Sequence, residues 1–207
     1  ELREEIVRYL YRRFGLNYQP NNQILATVGV SEAVDLALRT VLCYGDEVLI
    51  PEPCFVSYRP CVELAGGTPV GVPTKAEDEF RLTAEALRAA LTPRSKVLVL
   101  AFPSNPTGAV MRREHLEAIA EVVRKHNLLV ISDEIYAELT YEGKHVSIAS
   151  LEGMAERTIV MNGFSKAFAM TGWRIGYAAA PARAAKAMAD LQSHTASNAN
   201  TFSQWAS

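Results

Sequence analysis

The chain has 207 residues, 49% apolar and 21% charged, with a formal net charge of −2 at pH 7. That length buries a real core, as one large domain or two small ones. The near-neutral balance gives no electrostatic case for nucleic acid or an anionic membrane surface, and no apolar run approaches the ~20 residues that cross a bilayer. In chain order, residues 2–14 carry Leu2, Ile6, Leu10 and Phe14 on one face, the pattern of an amphipathic helix. A polar loop follows, then a short apolar strand over 24–28. A helix is expected over 32–44, with Ser31 as its N-cap and Gly45 as its stop. A strand over 47–50 closes at Pro51-Glu-Pro53, a helix spans 55–64, and a strand spans 68–72. A helix over 83–91 precedes the apolar strand 96–101, which reads as buried on both faces. The turn Pro103-Ser-Asn-Pro-Thr-Gly108 breaks it. A helix over 113–126 and a buried strand over 128–132 come next, then strands over 158–161 and 174–179 and a helix from Pro181 to Ser193.

Strands alternate with helices, which predicts an α/β three-layer sandwich around a mostly parallel central sheet. No repeat, low-complexity tract or linker divides the chain. In such sheets, ligands sit beyond the carboxyl ends of the strands. The residues just past those ends are Gly29-Val30-Ser31, Pro53-Cys-Phe55, Asn105-Pro-Thr-Gly108, Asp133 with Tyr136, and Ser165-Lys166. All five chemically suggestive clusters therefore fall on one edge. The segment from Met161 to Gly176 is central. It holds Ser165, Lys166 and Arg174 among glycines and small residues, without the apolar stripe of a packing helix. Arg174 and Ser165 can grip a phosphate, and Lys166 can form a Schiff base. The free amides and dipole at a helix start let Gly29, Val30 and Ser31 hold an anion, a role compatible with a capping Ser31. Asp133, with its motif set aside, can also be read as a strand-end carboxylate that caps a loop.

Cys43, Cys54 and Cys61 are odd in number and lack metal-ligand spacing, so they read as free thiols in a reducing cytosol. None of the four histidines sits in a metal motif. The charged start, Glu1-Leu-Arg-Glu-Glu, is unlike a secretory signal. Both ends look cut, and a fragment of a longer chain is expected.

Asn105-Pro-Thr-Gly108, Asp133-x-x-Tyr136 and Ser165-Lys166-x(7)-Arg174, in that order, are specific in combination. With them the chain resembles, over essentially its whole length, the large domain of the class I/II aminotransferases, the fold-type-I pyridoxal-phosphate enzymes. The resemblance implies pyridoxal 5'-phosphate as cofactor, with Lys166 as Schiff-base lysine and proton carrier. It implies Asp133 beside the pyridine nitrogen and Asn105 and Tyr136 on the phenolic oxygen. Phe55 would stack on the ring, Tyr58 being a weaker candidate, while Trp173 reads as packing. The phosphate would lie among Gly29, Val30, Ser31, Ser165 and Arg174. A cis bond is implied at Asn105–Pro106.

The family chain is nearly twice as long. Its small domain, the arginine that clamps the substrate carboxylate and the tyrosine that reaches the partner subunit's phosphate would lie outside residues 1–207. The resemblance thus implies a cytoplasmic homodimer that moves an amino group from an L-amino acid to a 2-oxo acid. The segment Pro51-Glu-Pro-Cys-Phe-Val-Ser-Tyr58 leans toward the aromatic and N-acyl-diaminopimelate branch. The isolated 207 residues are expected to bind cofactor without turnover. A fold-type-I β-lyase or aminocyclopropane-carboxylate-synthase-like enzyme shares the same cofactor residues. A ligand-sensing regulator fused to a DNA-binding domain is a third reading.

Overall fold

The central strands each carry a run of consecutive apolar residues, and that composition sends apolar side chains to two faces at once. Val97 and Val99 pack with Val48, Ile50, Ile131, Ile159 and Met161 in one core. Leu98 and Leu100 pack with Leu49 and Val130 in another. Strand side chains alternate between faces, so a continuous apolar run requires helices on both sides. The computed structural model, which describes residues 1–207, has that form.

Seven strands make one sheet: β1 (Ile24–Thr27), β2 (Glu47–Glu52), β3 (Thr68–Pro73), β4 (Ser95–Ala101), β5 (Leu129–Asp133), β6 (Thr158–Gly163) and β7 (Gly176–Ala179). Their spatial order is β1-β7-β6-β5-β4-β2-β3. Pairing is parallel throughout β3, β2, β4, β5 and β6, while β7 runs antiparallel between β6 and β1. Helices α2 (Gly29–Val41), α3 (Tyr58–Leu64) and α6 (Ala182–Thr195) cover one face. Helices α1 (Leu2–Phe14), α4 (Ala84–Ala90) and α5 (Arg113–Lys125) cover the other. A short α7 (Thr201–Trp205) ends the chain.

The expected three-layer sandwich with a mostly parallel sheet is observed, with shifts at the element ends. Helix α2 begins at Gly29, and Ser31 lies inside its first turn and does not cap it. The capping acceptor is instead the Glu32 carboxylate, which takes the Val28 N–H at 2.6 Å. The same helix stops at Val41, four residues before Gly45. Helix α3 starts at Tyr58, leaving Phe55 in the loop. Arg174 precedes β7 in a left-handed turn (φ 50°, ψ 53°) and is not its first residue. α7 was not expected, although its Asn200 cap, which accepts from the N–H groups of Phe202 and Ser203, is an ordinary start signal.

Candidate active site

Because β1, β2, β4, β5 and β6 run the same way, their carboxyl ends open on one side of the sheet. A cavity of about 350 Å³ lies there, within the size range of small-molecule sites. Val30, Ser31, Phe55, Asn105, Asp133, Tyr136, Ser165, Lys166 and Arg174 all line it. Gly29 lies directly behind Arg174. The ten residues singled out from the sequence, 145 positions apart at their extremes (Gly29 and Arg174), are therefore neighbours.

Asp133 is the last residue of β5 and is 6% exposed. Its Oδ2 accepts from the Tyr58 hydroxyl at 2.7 Å and its Oδ1 from the Ile135 N–H at 3.2 Å. Burial pushes its carboxyl above the usual range; the two donors pull it back only in part, and the Glu134 carboxylate adds to the rise. No cationic side chain pairs with it, and a buried charge without such a partner is costly. Tyr58 is more than the weak aromatic candidate of the sequence. It is buried, its ring meets Phe55 edge-on at 5.6 Å, and its hydroxyl is spent on Asp133. Seventy-five residues separate the two, so nothing local to either could mark the bond.

Three glycines build the corner where the start of α2 meets Arg174. Gly163 and Gly176 face each other across β6 and β7. A Cβ on Gly163 would lie 2.9 Å from the Gly176 Cα, and one on Gly176 would lie 2.7 Å from the Gly29 carbonyl carbon and 2.8 Å from the Val30 nitrogen. Gly29 has φ +70°, and a Cβ there would meet Arg174 Nη2 at 2.6 Å. This contact chain presses the start of α2 against the lysine loop. The N–H groups of Gly29, Val30 and Ser31 find no protein acceptor there, as the first turn of a helix requires. The Arg174 guanidinium stands beside them and bonds only the Thr171 carbonyl, at 3.0 Å. Thr171 in turn donates to the Ser165 carbonyl at 2.9 Å, which ties the two halves of the loop together. Backbone, not flexible side chains, surrounds Gly176, so Gly176→Ala should destabilise the fold by about 1–3 kcal/mol. It should also weaken anion binding at the α2 start. Thermal unfolding and phosphate titration measure the two effects, and an alanine variant unchanged in both would contradict this packing.

The Lys166 ammonium lies 5.5 Å from the centre of the Tyr136 ring. It is exposed, and no carboxylate pairs with it. The Asn105–Pro106 bond is cis, as the resemblance implied, and so are Glu52–Pro53 and Phe102–Pro103. Ser57, Cys61, Pro103, Ile135 and Thr171 also line the cavity. Chemically, the site joins a nucleophilic amine, a buried acid that demands a cation, phenol and amide donors, and an anion cradle.

Comparison with known proteins agrees with this geometry. The profile of the family described as aminotransferase class I and II matches residues 1–207. The putative aminotransferase YugH of Bacillus subtilis is 52% identical over 205 residues, covering 99% of this chain and 53% of that protein. The aromatic-amino-acid aminotransferase 2 of Thermococcus litoralis is 48% identical over 207 residues, covering 100% of this chain and 53% of that one. A crystal structure of an aromatic aminotransferase from Pyrococcus horikoshii OT3 superposes with a TM-score of 0.97 at 48% identity, covering 99% of this chain and 55% of that chain. The chain thus spans about half the length of the curated relatives it matches. With its fold, cavity and sequence in agreement, this chain belongs to the class I and II aminotransferases.

Proposed function

We propose that the full-length protein is an amino-acid aminotransferase working with pyridoxal 5'-phosphate, and that residues 1–207 form its cofactor-binding large domain. One observation supports this above the others: a single cavity is lined by a buried carboxylate lacking a cation and an arginine lacking a carboxylate. A simple anion or a simple cation satisfies one of the two. A ligand with a protonated ring nitrogen and a phosphate tail satisfies both, so the residues fit the cofactor.

When bound, the cofactor supplies an aldehyde that condenses with amines and a protonated ring that draws electrons from the substrate Cα. Asp133 keeps the proton on the ring nitrogen, because a carboxylate buried without a cation stabilises the nearest N–H strongly. Lys166 is the amine for the aldehyde. Its Nζ afterwards takes and returns the proton that moves during transfer. Asn105 and Tyr136 offer donors for the phenolic oxygen, and Phe55 offers a ring face for stacking. The amides at the start of α2, with Ser31, Ser165 and Arg174, grip the phosphate.

The same reading makes the protein a cytoplasmic homodimer whose small domain and substrate-carboxylate arginine come from residues outside 1–207. Residues 1–207 alone would then hold cofactor without turning over. The relatives are named as aminotransferases, which favours amino transfer over a lyase outcome. Two relatives are named for aromatic amino acids and others for aspartate, so the aromatic donor is the reading tested first. The test is a single half-reaction of the purified full-length protein with an aromatic L-amino acid and no acceptor. One equivalent of 2-oxo acid per site with the nitrogen retained is the expected result. Continuous release of ammonia would instead establish lyase chemistry.

A further inference from the structure

Helix α1 lies on the face of the sheet away from the anion corner, yet its side chains reach both segments that carry the reactive pair. Ile6 and Leu10 are buried against β1, β6 and β7, with Leu2, Val7, Tyr9 and Phe14 packed around them. Tyr9, only half-buried, also makes a polar contact. Its hydroxyl donates to Glu138 Oε1 at 2.7 Å. Glu138 sits in the 3-10 turn Ala137–Leu139, directly after Tyr136. Arg13, one helical turn on, closes a two-pronged pair with the same carboxylate, at 2.8 and 2.5 Å. The ring of Tyr9 meets Phe168 at 6.4 Å between centres. Phe168 lies two residues beyond Lys166 and packs on Phe164 at 5.6 Å. One side chain thus holds the Tyr136 turn by its oxygen and the Lys166 loop by its ring.

We infer that Tyr9 is a positioning residue for the Tyr136–Lys166 pair, acting on Tyr136 through Glu138 and on Lys166 through Phe168. The Lys166 loop needs such support. It is irregular, and Lys166 has no ionic partner of its own. Phe14 extends the contact, meeting His145 edge-on at 5.3 Å, and His145 pairs with the buried Glu134 next to Asp133. The whole strap from Asp133 to His145 is therefore steadied from α1. The inference rests on Lys166 as the reacting amine, and its test separates the two ideas.

Tyr9→Phe removes the hydroxyl and keeps the ring; Tyr9→Leu removes both; Glu138→Gln weakens the polar arm alone. Hydrogen exchange of the cofactor-free full-length protein reads the positions directly. Tyr9→Phe and Glu138→Gln should speed exchange over residues 134–140 only, whereas Tyr9→Leu should speed it over 134–140 and 164–170 together. With cofactor, Tyr9→Leu should lower kcat about tenfold or more with KM changed little, since small misplacements of reacting groups cost rate first. Tyr9→Phe should recover most of that loss. Exchange faster throughout the chain, faster only within α1, or unchanged in Tyr9→Leu would overturn the inference. So would a KM effect without a kcat effect. Should the reacting amine prove to be another residue, the exchange pattern would still stand or fall by itself.

Discussion

Replacing Lys166 by alanine in the full-length protein should lower kcat by about 10⁴-fold or more while leaving the fold intact. Two roles are lost together, the covalent attachment of the cofactor and the proton transfer that follows, and acid–base catalysis alone is worth about 10²–10⁴. The fold should not notice. Lys166 is exposed, its side chain makes no ion pair, and its ammonium stands 5.5 Å from the centre of the Tyr136 ring. Substitutions at such surface positions stay within about 0.5 kcal/mol. Steady-state turnover and thermal unfolding of the same preparation measure both halves. A variant retaining a tenth of wild-type turnover would remove Lys166 from the chemistry, and a variant that failed to fold would show that its role is structural.

Asp133→Asn should move function and stability in opposite directions. Asparagine keeps the shape, and its amide and carbonyl can still meet Tyr58 and Ile135, since the phenol can turn to accept. What disappears is the negative charge that would hold a ring proton, so kcat/KM should fall by about 10²–10³, the scale of losing one preorganised electrostatic partner. The ligand-free fold should gain. Burial raises the Asp133 carboxyl above its ordinary value of 3.8, so the folded chain keeps a proton that the unfolded chain has released. By linkage, stability from this group is complete below the unfolded value and declines as pH rises through the folded one. The asparagine variant lacks that decline. Cofactor-free unfolding followed from pH 4 to pH 8 should therefore fall less steeply in the variant, with equal or greater stability at neutral pH. A variant that is active, or one markedly less stable without cofactor, would assign Asp133 a purely structural role.

The two predictions draw on features of unequal visibility in the sequence. Lys166, Asp133 and Asn105 were legible because each lies at or soon after the end of a strand whose apolar run announces it, and Arg174 because of its spacing from Ser165-Lys166. Parallel strands bring all such positions to one edge of a sheet. The layers were legible for the same reason: Val97–Leu100 is apolar on both faces and needs helices on both sides. What stayed hidden depends on contacts distant in sequence or on backbone angles. Tyr58 reads as a spare aromatic until its hydroxyl is placed on Asp133, and nothing near Tyr9 in the sequence marks Glu138 and Phe168 as its partners. Helix α2 starts earlier than its Ser31 suggested. Gly29 takes a left-handed angle that no stronger capping residue could adopt cheaply, and Glu32 reaches back to cap Val28. Arg174 adopts a similar angle outside β7, which aims its guanidinium at Gly29, away from the sheet ladder.

The glycine contacts explain why the amine and the anion cradle can share one cavity at all. Gly163, Gly176 and Gly29 remove three side chains from the line between β6, β7 and α2, and the lysine loop is thereby brought against the helix start. On the proposed function, anion grip and reactive amine both depend on one close backbone approach, so damage to either should show in both.

Borohydride reduction of the cofactor-loaded full-length protein, followed by peptide mapping, tests the central claim most directly. The cofactor should become fixed irreversibly to the peptide containing Lys166, at one equivalent per chain, and the Lys166→Ala variant should take up none at that site. Stoichiometric label on a different lysine, or reduction that leaves the cofactor wholly free, would contradict it.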